Sequence, residues 1–162
     1  MASPDEFLRD LPLRQPAQMH WLAARDREQR IANLTWTEYQ ALASRGRAWE
    51  GVLAECREGP KVRLPDRDDF PITAGVSANY FDLLGVKAAA GDVFHAGGGS
   101  DGVVAITDHY WRTALGGDLH GYFHIVGRSL NVGGASLRVV GVLPPAFSGT
   151  QRGLLVDLFV PP

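Results

Sequence analysis

Histidines and a glycine run carry the residue types that could do chemistry here. His120 and His124 stand four apart, the spacing that puts two imidazoles on one helix face as zinc ligands, with His109 or His95 as a third. Gly121 between them disfavours that helix, and no acidic base follows as in HExxH, so surface or partly packed histidines are expected. Gly97, Gly99 and Gly102 spell GxGxxG, which in a dinucleotide site lets backbone amides reach a pyrophosphate. A strand, not a helix, is predicted after them, so the expected structure is a loop. No Gly-Lys-Ser/Thr is present, and a P-loop for ATP is therefore missing from this sequence.

Ser77 lies between a predicted strand and a predicted helix, but its neighbours do not form GxSxG and its expected role is a helix cap. Cys56 falls on the apolar face of a predicted strand and reads as a small core residue. Asp68 and Asp69 are paired in a charged turn, where solvated carboxylates are the simplest account. Tyr80, Phe81, Trp111 and Phe147 are placed for core packing more than for a ligand cage. No catalytic, cofactor-binding or metal-binding residue is assigned.

The elements that position these residues begin at Thr35. Thr35 and Glu38 have capping-box spacing, Leu34 is set to staple onto Tyr39, and Gly46 is expected to stop the helix in a left-handed conformation. From Val52 the pattern has period two, with Val52, Ala54 and Cys56 on one face. Lys61 to Leu64 and Phe70 to Val76 follow as strands, the latter with Phe70, Ile72, Ala74 and Val76 on one face, and together they predict a meander. Ser77 should cap a helix over Asn79 to Leu84 that stops at Gly85. Val103 to Ile106 reads as a buried strand, Thr107 as a cap and Asp108 to Leu115 as a helix. Gly133 and Gly134 join Arg128 to Val132 and Ser136 to Leu143 as a hairpin, and Val156 to Val160 closes the set. Strands grouped with short helices, without regular alternation, predict an α+β fold of antiparallel or mixed sheets.

The 162 residues fit one domain, a size that buries roughly 68–70% of the unfolded surface. Hydrophobic residues make up 45% and charged residues 21%, which excludes wholesale disorder. The 16 basic and 18 acidic residues are scattered, so attraction to nucleic acid is not implied. Cys56 is the single cysteine and has no intramolecular disulfide partner. No window approaches the roughly 20 apolar residues of a membrane span, and the first residues lack the basic start and apolar core of a signal peptide.

Four blocks carry a family resemblance. VSANYFDLLGVKAAAGDVF, residues 76 to 94, resembles the signature of the MacB-like periplasmic core domain of MacB/FtsX-type ABC-transporter permeases. VVAITDHYWRTALGGD, 103 to 118, looks like that family's strand and Trp-containing helix. VGRSLNVGGASLRVVGVLPPAFSGT, 126 to 150, is similar to its hairpin and Pro-Pro-x-Phe exit, and VDLFVP, 156 to 161, to its closing strand. FLRDLPLRQPAQMHWL, residues 7 to 22, is similar to the stretch that leaves the first membrane helix in the large-permease branch of the family, and LTWTEYQAL, 34 to 42, fits the Tyr-containing helix expected next. Asp92 departs from a common arginine and Phe159 from a common tryptophan.

The resemblance implies a MacB-type core domain spanning 1–162, with 1–75 as a membrane-proximal lobe and 76–162 as a distal lobe. It implies a place on the periplasmic face of the bacterial inner membrane, excised from a parent permease whose membrane helices flank it. Its implied partners are those transmembrane helices, a cytoplasmic ABC ATPase acting indirectly, and a periplasmic adaptor or substrate. A non-enzymatic relay of ATP-driven motion by a monomeric domain without cofactors is expected. The alternative is a soluble small-molecule-binding or hydrolytic domain on a similar scaffold, which requires a polar pocket around His109, His120 and His124.

Overall fold

In the computed structural model, residues 8–117, 121–151 and 153–162 are described. Strands β1 (Ala24–Arg25) and β2 (Ile31–Ala32) form a separate antiparallel ladder ahead of helix α1 (Trp36–Arg45). The capping box is formed: the Thr35 hydroxyl accepts from Glu38 N–H at 3.3 Å, and the Glu38 carboxylate accepts from Thr35 N–H at 2.7 Å. Tyr39 meets the Trp36 ring, with centroids 4.9 Å apart. Gly46 ends α1 in an extended conformation (φ −73°), not a left-handed one. A Cβ at Gly46 would meet the Trp49 indole where it now lies, so the absence of a side chain lets that ring pack against the helix end. α1 buries none of its residues, and Trp21, Leu22, Ile31, Leu34, Trp36 and Trp49 are exposed, so residues 20–50 form an arm outside the core.

The body is a nine-stranded mixed sheet among the described residues. Its strands are β3 (Glu55–Glu58), β4 (Val62–Arg63), β5 (Asp68–Asp69), β6 (Thr73–Val76), β7 (Ala90–Gly91), β8 (Val103–Thr107), β9 (Ser129–Val132), β10 (Ala135–Leu143) and β11 (Leu158–Val160). They lie in the order β3, β6, β11, β8, β10, β9, β4, β5, with β7 against the end of β10. The pairs β6 with β11 and β8 with β10 are parallel, and the others antiparallel. The α+β expectation is met.

The expected meander is not. β3 pairs directly with β6, while the β4/β5 hairpin leaves for the opposite side of the sheet and pairs with β9. Burial explains the detour, because Val62 and Leu64 fill the cluster that also holds Leu130 and Val132. Strands β3 to β6 thus share one sheet with β8 to β11, and residue 75 falls inside that sheet.

Helix α2 (Tyr80–Leu84) covers one face and α3 (Asp108–Ala114) the other. Under α2, Phe81 is surrounded by Phe94, Phe159 and Phe147, with ring centroids 4.9, 5.6 and 6.5 Å away. Under α3, Tyr110 and Trp111 pack with Val104, Ile106 and Leu158. Gly85 stops α2 in the left-handed region (φ 70°), and Thr107 caps α3 by accepting from Tyr110 N–H. The Gly133 and Gly134 turn joins β9 to β10 as predicted. β10 bulges between Val139 and Gly141, where β7 approaches so closely that a Cβ on Gly141 would lie 2.1 Å from the Asp92 carbonyl oxygen. Among the described residues no helix is long and apolar enough to cross a membrane.

Phe81→Ala should lower unfolding stability in urea by about 3–5 kcal/mol, through lost burial and the cavity left behind. Gly141→Ala should cost about 1–3 kcal/mol by overpacking, and Ile31→Ala, in the arm, roughly 0.5 kcal/mol or less. An Ile31→Ala loss equal to that of Phe81→Ala would place the arm in the core.

Candidate functional site

Buried hydroxyls need acceptors, and in this domain three tyrosines find theirs in carboxylates. The Glu55 carboxylate accepts from Tyr80 and Thr150 hydroxyls, each at 2.8 Å. Burial and the Glu55 charge push the Tyr80 phenol well above its ordinary range. Leu53 and Glu55 therefore face α2, the reverse of the face expected from Val52, Ala54 and Cys56. Cys56 is exposed, not a core residue, with its sulfur lying over Gly75 in the paired strand. Ser77 does not cap α2. Its hydroxyl accepts from Ala54 N–H at 2.9 Å and ties the start of β3 to the end of β6.

A second set lies at the far end of β6. Tyr110 donates to Asp69 at 3.0 Å, so Asp69 is half-buried and structural while Asp68 pairs with Lys61 at 3.2 Å. Asp157 accepts from Ile72 N–H at 2.9 Å. Burial pushes the Asp157 carboxyl above the ordinary range, and the like charge of Asp69 adds to the shift, outweighing the Ile72 N–H and His109. Of the four residues expected to share a face, Phe70 and Ile72 are exposed because they precede the paired residues of β6, whereas Ala74 and Val76 reach the core. Asp157 attracted no attention in the sequence, since the parallel pairing that brings it to Ile72 joins residues far apart in the chain.

The third set is on α3. Tyr122 donates to Asp108 at 2.7 Å and Arg112 pairs with it at 2.8 Å. Although burial opposes it, these two partners hold the Asp108 carboxyl below the ordinary range. Tyr80, Phe81, Trp111 and Phe147 are all buried, as expected. Beside Trp111 an open cleft of about 370 Å³ is lined by Leu115, Gly116, Gly121, His124, Ile125 and Arg128. Among the described residues no carboxylate lines it, and neither does His109. His120 lies outside the described residues. Among the described residues no three His, Cys, Asp or Glu side chains are grouped to hold a metal ion.

Gly97, Gly99 and Gly102 lie in a loop that leads into β8 rather than a helix. Their loop is pinned by His95, whose Nδ1 is 2.5 Å from Asp82 on α2 and whose Nε2 is 3.2 Å from Asp92. Ala96 N–H also donates to Asp82. The Asp82 and Asp92 carboxylates raise the His95 pKa above the ordinary value of 6.5. Against burial, the bonds from His95 and Ala96 hold Asp82 below 3.8; Asp92 is lowered chiefly by Val93 N–H and then by His95. The raised histidine stabilises the pin fully below pH 6.5 and loses that contribution as pH rises through its folded value. The lowered carboxylates contribute above 3.8 and lose their part as pH falls through their folded values. In ¹H–¹⁵N heteronuclear NOE measurements, amides 97–102 should become more mobile as pH rises above 6.5, and His95→Gln should remove the transition.

Comparison with known proteins places this architecture. The family model of the MacB-like periplasmic core domain matches residues 11–161. The periplasmic region of MacB from Actinobacillus actinomycetemcomitans superposes with a TM-score of 0.61 at 17% identity, covering 83% of this chain and 58% of that one. The extracellular domain of the noncanonic ABC-type transporter YknZ from Gram-positive bacteria gives 0.60 at 18% identity, covering 79% and 62%. The chain thus spans less than two thirds of each solved relative, and the comparison with curated proteins finds no match. With nearly its whole length matched by the family, the chain belongs to the MacB-like periplasmic core domains, the extracytoplasmic domains of ABC-transporter permeases.

Proposed function

We propose that this domain relays ATP-driven motion of a parent permease to partners or substrate outside the membrane, and that it catalyses no reaction itself. The observation that carries the reading is the family match over 11–161, on a body whose strands meet in one sheet packed on both faces. A sheet with helices fastened to both sides moves as one piece, which a relay by rigid-body displacement requires. The arm over 20–50, with its exposed tryptophans and leucines, is the membrane-side portion. It meets the sheet near Glu55, so the body stands beyond it. ATP hydrolysis belongs to a cytoplasmic ATPase partner that drives the permease helices.

The hydrolytic or small-molecule alternative needs convergent acid and base groups in a pocket. Among the described residues, the cleft beside Trp111 offers His124 and Arg128 as its ionisable lining.

Cys56 provides the test, being exposed on β3 and the only cysteine of the chain. Burial of its sulfur and the Glu58 charge raise its pKa, so labelling should accelerate with pH. In spheroplasts making the parent permease, a membrane-impermeant maleimide should label Cys56 at mildly alkaline pH, and Cys56→Ser should abolish that label. Labelling only after lysis would remove the extracytoplasmic assignment. In reconstituted permease with its ATPase, an environment-sensitive dye on Cys56 should report a change with hydrolysable ATP; an unchanged signal during turnover would sink the relay.

A further inference from the structure

We propose that Phe70 and Ile72, flanked by the carboxylates of Asp69 and Asp157, form a docking surface for a partner-protein segment presenting a lysine or arginine beside an apolar side chain. The apolar half comes from exposure: Phe70 is 69% exposed, Ile72 37% and Leu155, two residues before Asp157, 50%. The other exposed large hydrophobic residues among those described all lie in the arm, so these three stand alone on the sheet body. Phenylalanine and isoleucine left open at a sheet end mark a surface that gains by being covered.

The charged half comes from an imbalance. Asp69 and Asp157 both act on the Tyr110 hydroxyl, and Asp157 is held at Ile72 N–H, so the two carboxylates flank the same short segment. The nearby cations are committed elsewhere: Lys61 and Arg63 to Asp68, and Arg67 to Asp66 and the Ala114 carbonyl. His109 acts on Asp157 at longer range from α3. Among the described residues neither Asp69 nor Asp157 has an ion-pair partner. Two partly desolvated like charges beside an apolar patch are relieved by a cation that arrives with apolar neighbours, so the partner is basic and amphipathic.

Topology gives the surface a direction. Glu55 pairs with Val76 and Gly75 with Val160, so the arm joins the sheet at the end where β6 and β11 finish. Phe70, Ile72, Leu155 and Asp157 precede those strands and lie at the opposite end. If the arm is the membrane-side portion, this end points away from the bilayer. The chemistry of the surface rests only partly on that reading.

The test is an NMR titration of the ¹⁵N-labelled 162-residue chain with a short peptide alternating leucine and lysine, compared with the same peptide carrying glutamate for lysine. The basic peptide should shift the amides of Asp69, Phe70, Ile72 and Thr73 and of 155–158 saturably and lose affinity with added salt; the acidic one should leave them unmoved. Asp69→Asn with Asp157→Asn should weaken binding roughly tenfold, and Phe70→Ser should weaken it with both carboxylates retained. The amide spectrum of each variant shows that it is folded, and Phe70→Ser keeps the test open if the double variant is not. Equal binding of both peptides, shifts confined to the arm, or no saturable binding would overturn the proposal. Self-association abolished by Phe70→Ser would also overturn it, by identifying a second copy as the occupant. None of these results depends on the Cys56 labelling, so the surface and the extracytoplasmic assignment fail separately.

Discussion

The burial of β8 on both faces organises this domain. Val103 and Ala105 enter the cluster under α2, while Val104 and Ile106 enter the cluster under α3, and all four are essentially removed from water. A strand apolar on both sides is stable only between two covered layers. It therefore demands helices on each face and strands on each edge. β11 and β10 supply the edges, one antiparallel and one parallel. The parallel pairing obliges the chain to travel through α3 and the β9 hairpin before it returns, and that excursion builds the second layer. The elements after β8 are thus arranged around the need to cover it.

Closing both layers leaves polar side chains inside, and the domain resolves them in pairs. Tyr80 with Glu55, Tyr110 with Asp69, and Tyr122 with Asp108 each place a phenol hydroxyl on a carboxylate. Such bonds are stronger than those between neutral groups and hold their partners in fixed geometry. Each joins elements distant in sequence: β3 to α2, β5 to α3, and the turn at 122–124 to α3. The arrangement stiffens the body, as the proposed relay requires. The same economy leaves Asp157 different, since its bond is to a backbone amide and, among the described residues, no cation forms an ion pair with it, His109 acting only at longer range.

The arm and the body divide the chain by physical character. The body hides its large apolar residues except at one sheet end; the arm exposes most of its own. A capping box and an aromatic contact hold α1 together locally, so the helix forms without a buried face. Such a helix contributes little to the core and much surface for contact.

Local signals in the sequence determined the elements governed by nearby atoms. Thr35 with Glu38, Thr107 before α3, Gly85 after α2 and the Gly133-Gly134 turn all appear where residue chemistry places them, because caps and tight turns are settled within a few residues. The buried VVAI run and the four ordered blocks were enough for fold class and family. Tertiary structure decided what depends on distant partners. It sent β4 to β9, turned Glu55 inward onto Tyr80 and Thr150, and put Cys56 outside over Gly75. It also brought Asp157 beside Ile72, where burial and a like charge act on the same carboxyl. Periodicity reports which residues alternate but not which face will be covered, and a carboxylate reads as outward until its buried hydroxyl donors are known.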